Sequence, residues 1–376
     1  MSSRRRKLTP SAAMRRLLKT MTGISVPAAS RTVKQATKKT VKKKANKTAS
    51  KIVKKVVRKV VKKTAKKAVG KTTKKIAKKS VSSASAQSKP PFSAGDWIKG
   101  HAIGAGGPRR YCLFRPHGVS ADESLPLLVM LHGCSQNAPD FALSTRMNTI
   151  AARSRALVLY PEQDLRFNPQ GCWNWYDTKS GQANAEAATL MSIINQVCIR
   201  YPVNREAVAI AGFSAGASMA ALLATLHPAR FRAVAMHSGV PPGSARSAAS
   251  AVAAMRGLQR STAPGGLHPW PPLLIAHGRR DRVVAISNAH AAAQLWASSL
   301  GARESTPRKV QRGKRYTSTV TDFRAGRRIV VSLNEIDKLG HSWSGGDSKQ
   351  RFSDAAGPDT SRLIWSFFER QMRAAS

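Results

Sequence analysis

Ser214 sits at the centre of Gly212-Phe213-Ser214-Ala215-Gly216. The run before it, Ala207-Val208-Ala209-Ile210-Ala211, reads as a strand, and Ala217 to Leu226 reads as a helix. A serine on so sharp a strand-to-helix turn is lifted above the sheet edge, where its oxygen can attack an acyl carbon. The turn is crowded, so it needs small neighbours. Such a serine requires three helpers: a histidine to take its proton, a carboxylate to orient that histidine, and amide donors for the oxyanion.

The turn resembles the nucleophile elbow of α/β-hydrolases, in which the order along the chain is serine, then acid, then histidine. That order does much of the selection. Of nine histidines, only His290 and His341 follow the acids that come after Ser214. His290 lies within the helical run Asn288-Ala289-His290-Ala291-Ala292, which gives it a surface or packing role. His341 lies in Leu339-Gly340-His341-Ser342-Trp343-Ser344-Gly345-Gly346, a glycine-rich loop soon after a strand, and is the predicted base. Between Ser214 and His341 there are five acids: Asp281, Glu304, Asp322, Glu335 and Asp337. Asp281 follows the strand Leu273 to His277 through a short turn and is the predicted acid; Asp337 is the runner-up. For the oxyanion hole, one amide is that of Ala215. The other belongs to the loop Leu131-His132-Gly133-Cys134-Ser135-Gln136, from Cys134 or Gly133, with Cys134 favoured.

The elements that must hold these residues alternate. Strands are predicted at 110–115, 125–131, 156–160, 207–211, 233–237, 273–277, 316–323 and 328–335. Helices are predicted at 140–153, 185–200, 217–226, 287–300 and 359–372. Alternation of this kind predicts an α/β class with a mostly parallel central sheet flanked by helices over residues 92–376; the resemblance of the serine turn to the nucleophile elbow implies that this is an α/β-hydrolase fold. Leu127-Leu128-Val129-Met130 is apolar without a break, as in a strand buried on both faces.

Residues 1–91 are of another kind. The chain has 376 residues and a net charge of +46; residues 1–90 contain 30 Lys and Arg and no acid. Residues 31–80 repeat basic pairs among Val, Ala and Thr, and mutual repulsion predicts a disordered tail. The composition resembles the Lys-rich tails of linker-histone-like bacterial proteins. It predicts phosphate-directed binding to nucleic acid. Attachment to an anionic granule or membrane surface is the rival reading, and a solvated charge run the bland one. Val81 to Pro91 reads as a linker.

The four cysteines, Cys112, Cys134, Cys172 and Cys198, have no metal-site spacing. Cys134 and Cys172 both fall in loops near the predicted site and are the candidate disulfide pair, with buried free thiols as the alternative. No metal or organic cofactor is expected. No stretch is apolar enough to span a bilayer, and the basic start lacks an apolar signal core. The expectation is a cytoplasmic chain, held at the nucleoid or a granule by its tail.

Several motifs in order resemble those of the polyhydroxybutyrate depolymerase-type esterases, which are similar in turn to feruloyl and acetylxylan esterases. They are Leu131-His132-Gly133-Cys134, Thr145-Arg146-Met147-Asn148, Tyr160-Pro161-Glu162-Gln163 and Cys172-Trp173-Asn174-Trp175. Further along come Gly212 to Gly216, His237-Ser238-Gly239, Asp281, His341 to Gly346 and Gly357-Pro358-Asp359. The resemblance implies Ser214 as nucleophile, Asp281 as acid and His341 as base, in the cleavage of short-chain hydroxyalkanoate esters. It also implies that Trp173, Trp175 and Trp343 border the substrate. Ala217 stands where that family commonly has a further glycine, and the lysine tail is not a feature of it. A feruloyl or acetylxylan esterase is the alternative within the class. A nucleic-acid-binding protein with a secondary hydrolase domain is the alternative outside it.

Overall fold

The computed structural model describes residues 94–262 and 269–374, and the predicted tail over 1–91 lies outside the described residues. Ten strands form the backbone of one sheet. They are β1 (Gly95–Gly104), β2 (Gly107–Pro116), β3 (Leu125–Leu131), β4 (Leu157–Pro161), β5 (Val203–Phe213), β6 (Ala233–His237), β7 (Leu273–Gly278), β8 (Arg303–Glu304), β10 (Ser318–Ala325) and β11 (Arg328–Ile336). Their order in space is β1-β2-β4-β3-β5-β6-β7-β11-β10-β8, and β9 (Arg308–Val310) pairs with β10 at the edge. The strands from β4 through β3, β5, β6 and β7 to β11 are parallel to their neighbours; β1 and β2 at one end and β10 at the other are antiparallel. This is the α/β-hydrolase architecture.

Both faces of the sheet are covered. Along β3, Leu127, Val129 and Leu131 join one core and Leu128 and Met130 the other, so the unbroken apolar run is explained by burial on two sides. The first core is closed by helices α3 (Gln182–Arg200), α4 (Ala215–Leu226), α5 (Ala248–Met255) and α6 (Ser287–Ser299). The second is closed by α1 (Ala138–Thr145), α2 (Met147–Arg153) and α7 (Thr360–Arg373).

Three departures from the sequence reading have physical causes. Strand β1 was not predicted, because its glycines carry low strand propensity. They are needed there: a Cβ at Gly100 would lie 2.3 Å from the Tyr111 ring of the paired strand. The helix predicted over 140–153 is two helices, broken at Arg146, whose φ of 54° is left-handed. The Thr145 hydroxyl accepts from the Met147 amide across that break. Helix α5 was also missed; a capping box between Ser247 and Ser250 starts it.

One buried polar cluster fixes the long segment between β4 and α3. Glu186 on α3 is 1% exposed and Arg109 on β2 is 2% exposed; they pair at 3.3 Å. Glu186 also accepts from the Asn174 backbone amide at 2.9 Å, the Asn174 side chain at 2.6 Å and the Gln163 side chain at 2.8 Å. One carboxylate thereby ties β2, α3 and the segment carrying Cys172 and Trp173 together. Glu186→Ala would leave the Arg109 charge buried without its partner, which costs about 3–5 kcal/mol. Urea denaturation should show a loss of that order, and an unchanged midpoint would refute this account of the cluster.

Candidate active site

Ser214 caps α4 with φ 55° and ψ −120°, a conformation that non-glycine residues rarely adopt. The strain is held by close backbone packing on either side. A Cβ at Gly212 would lie 2.3 Å from the Gly216 backbone, and one at Gly216 would lie 2.1 Å from the Leu131 carbonyl oxygen. Neither glycine has a positive φ, so both are required for space, not for conformation. The Ser214 amide donates to the His237 carbonyl at 2.9 Å, anchoring the turn to the end of β6.

Ala217, which replaces the glycine common in the resembled family, is fully buried. Its methyl group lies 2.7 Å from where a Cβ on Gly239 would stand. The bare backbone at Gly239 accommodates the extra carbon.

Four neighbouring strands deliver the polar groups from their carboxyl ends. Ser214 follows β5, His237 ends β6, Asp281 follows β7, and His341 follows β11. The Ser214 hydroxyl donates to His341 Nε2 at 2.9 Å, and His341 Nδ1–H donates to Asp281 Oδ2 at 2.7 Å. The carboxylate selects the tautomer that leaves Nε2 free to accept. Asp281 Oδ1 accepts from the Val283 and Val284 amides, each at 2.9 Å. Burial raises the Asp281 pKa, but the hydrogen bond from His341, the nearby imidazoles and the Val284 amide outweigh it. The carboxyl stays below its ordinary value.

The turns bearing the acid and the base are packed backbone to backbone. The Arg280 amide donates to the Leu339 carbonyl at 3.0 Å, and a Cβ at Gly278 would sit 2.3 Å from that same oxygen. Asp337, the runner-up acid, faces away and pairs with Arg279 at 3.4 Å. His290 pairs with Glu335 at 3.2 Å on the outside of α6.

Of the two loop amides considered for the oxyanion hole, that of Gly133 donates to the Gln136 side chain at 2.9 Å. The Ser135 amide donates to the Gln170 carbonyl at 2.9 Å. Cys134 lies between them, and its amide has no hydrogen-bond acceptor among the described residues. Ala215 opens α4, where the first amides have no intrahelical acceptor; the first bond within the turn runs from Ser218 to the Ser214 carbonyl. Cys134 and Cys172 form a disulfide that joins this loop to the segment organised by Glu186. Cys112 and Cys198 are free and buried.

The tryptophans lie under the site. Trp173 is 0% and Trp343 1% exposed; their indole N–H groups donate to the His132 carbonyl at 3.0 Å and the Ser361 hydroxyl at 3.1 Å. Neither offers a face to a substrate, which corrects the expectation that they border it. Trp175 keeps 8% exposure and packs edge-on against Tyr176.

Three buried histidines escaped the sequence reading. His237 Nε2 accepts from the Ser344 amide at 3.1 Å, and its ring stacks on Trp343. It thus holds the nucleophile turn through its carbonyl and the loop carrying His341 through its ring. His277 Nε2–H donates to the Val284 carbonyl at 2.9 Å and braces the turn of Asp281. His132 Nε2 accepts from the Gln163 amide at 3.1 Å, and its Nδ1–H donates to the Gly133 carbonyl at 2.8 Å. His132 and His237 fall within family-like motifs that assigned them no role, and His277 read as a strand residue.

Comparison with known proteins identifies the family. The family profile for esterase PHB depolymerase matches residues 109–308. The chain belongs to that family. Among similar relatives of this PHB depolymerase-family chain is the poly(3-hydroxyalkanoate) depolymerase C of Paucimonas lemoignei. It is 30% identical over 187 residues, covering 46% of this chain and 44% of that protein. Feruloyl esterase B of Neurospora crassa is 28% identical over 193 residues, covering 46% of this chain and 65% of its own. The match thus spans under two thirds of either relative. An acetyl xylan esterase structure from Aspergillus awamori superposes with a TM-score of 0.54 at 16% identity, over 72% of this chain and 99% of that one. It shares the fold.

Burial pushes the pKa of His132, His237 and His277 down, that of His237 from 6.5 to about 3, with neighbouring histidines adding to the effect there. The unfolded chain binds these protons first as pH falls. Stability is therefore fully present above about pH 6.5; the His237 contribution drains toward pH 3 at about 1.4 kcal/mol per pH unit, and those of His132 and His277 fall in the same direction. Denaturation followed from pH 7.5 downward should show this loss with proton uptake on unfolding. A flat profile down to pH 4 would contradict it.

Proposed function

We propose that the chain is a serine esterase acting on poly(3-hydroxybutyrate) or its short oligomers through an acyl-enzyme. The observation that carries the reading is the hydrogen-bonded series Ser214–His341–Asp281 in a chain of the esterase PHB depolymerase family. His341 takes the Ser214 proton as the oxygen attacks the ester carbonyl. The Ala215 and Cys134 amides stabilise the tetrahedral oxyanion. His341 then protonates the departing alcohol. Water, deprotonated by His341, attacks the acyl-serine and releases the acid. Asp281 keeps the imidazole in its tautomer and offsets its transient charge.

A feruloyl or acetylxylan ester substrate is the second reading, favoured by the likeness to feruloyl esterase B. Both readings share one test. Ser214→Ala should lower p-nitrophenyl butyrate hydrolysis about 10⁴-fold or more with an unchanged melting temperature. Retained turnover would sink both. Rates of the unmodified chain on 3-hydroxybutyrate oligomers and on feruloyl and acetyl esters then decide between them.

The basic residues 31–80 are assigned an anionic partner, nucleic acid or an anionic granule or membrane surface, which places the esterase where it works. The support is their charge, with no acid among them. Because neutralised phosphates release counterions, adsorption through this segment weakens steeply with salt. A chain lacking residues 31–80 should lose most of its salt-sensitive adsorption to duplex DNA and to anionic vesicles. Unchanged adsorption to both would remove the tail from the reading.

A further inference from the structure

A groove of about 1150 Å³ opens on the folded domain, away from Ser214, Asp281 and His341. Helices α2 and α7 form one wall; β9, β10, β11 and the loop after β9 form the other. Seven arginines and three acids line it. The acids are already engaged. Asp322 is buried and pairs with Arg308 at 2.6 Å. Asp359 caps α7 and lies 3.7 Å from Arg362, and Glu369 pairs with Arg373 at 3.7 Å.

Five groove arginines therefore have no carboxylate partner among the described residues: Arg146, Arg153, Arg312, Arg315 and Arg370. Two of these are held in place by carbonyl oxygens, which fix a guanidinium without cancelling its charge. Arg146 donates to Gly345, and Arg315 donates to Gly357 at 2.6 Å and Ala355 at 3.3 Å. The other three are exposed.

We propose that this groove is a second anion-binding surface, which takes the phosphate backbone of a nucleic acid independently of the basic tail. The excess of fixed positive charge requires an anionic occupant. It excludes the chain's own tail, which has the same sign, and disfavours a second copy, since the folded part is itself net positive. A concave site favours a polymer that can enter it over a flat lipid surface. None of the exposed large apolar side chains, such as Leu165 or Leu258, lines the groove, and its own Ile150, Val310, Ile329 and Leu363 are half-buried, which disfavours insertion into a bilayer. Guanidinium groups bind phosphate oxygens in pairs. Of the aromatic rings in the lining, Trp365 is buried and Tyr316 half-buried, so the contact reads backbone charge more than base sequence.

The test uses the full chain with Arg153, Arg312 and Arg370 each changed to Gln, and a short DNA duplex titrated at several salt concentrations. The tail contributes equally to both proteins, so the difference belongs to the groove. Removing three phosphate contacts should lower the slope of log K against log salt by about 2.7. An unchanged slope would overturn the proposal. Loss of binding to phosphatidylglycerol vesicles with the duplex slope unchanged would overturn it in favour of a lipid surface. Should the triple variant fail to fold, amide exchange of the unmodified chain decides: the duplex should protect residues 308–316 and α7, and no protection there would overturn the assignment.

Discussion

Absence of side-chain carbon between two strands and a helix is the constraint on which the site depends. Gly212 and Gly216 let β5 turn into α4 against the end of β3 with no Cβ between the backbones. Any larger residue would have to push the helix away from the sheet, and Ser214 would relax from its unusual dihedrals. Helix α4 fits that contact through its small first turn, Ala215-Gly216-Ala217-Ser218. The exchange at Ala217 obeys the same rule, since the carbon it adds is taken up by the bare backbone of Gly239. Position of the serine is thus settled by packing before any charged group is considered.

The polar groups around it are placed at the ends of neighbouring parallel strands and are kept uncharged where they are deepest. His132 and His237 each accept a backbone amide, which only neutral imidazole can do, and His277 donates to a carbonyl in the same dry interior. Asp281 is the exception. Its carboxylate is buried and ionised, and two amides and an imidazole N–H share its charge. The distribution concentrates negative charge at the one point where a transient imidazolium would need it.

Residues legible in the sequence were those whose chemistry leaves few alternatives. Glycines on both sides of a serine announce a crowded turn; chain order left five acids and two histidines, and their places after strands reduced these to Asp281 and His341. The alternation of apolar runs with helices was equally readable. What escaped was set by partners distant in the chain. Nothing in Gly95–Gly104 says that Tyr111 will need the space over Gly100. No local signal marks Arg146 as left-handed, and its side chain reaches the carbonyl of Gly345, far along the chain. Trp173 and Trp343 stand in the right motifs but beneath the site, and tertiary packing decides which side of a wall an aromatic ring occupies. A histidine at the end of a strand reads as one more strand residue until Ser344 is seen to donate to it.

His237 has a consequence for how the molecule loses its alignment. Its carbonyl receives the amide of the nucleophile, and its ring receives an amide of the loop that carries the base. The two loops come from distant parts of the chain yet share one anchor, so neither can drift without disturbing the other. Local opening at β6 would release both at once, making misalignment a single cooperative event instead of a gradual loosening. Heating would then switch turnover off in one step, with no intermediate population of half-aligned molecules.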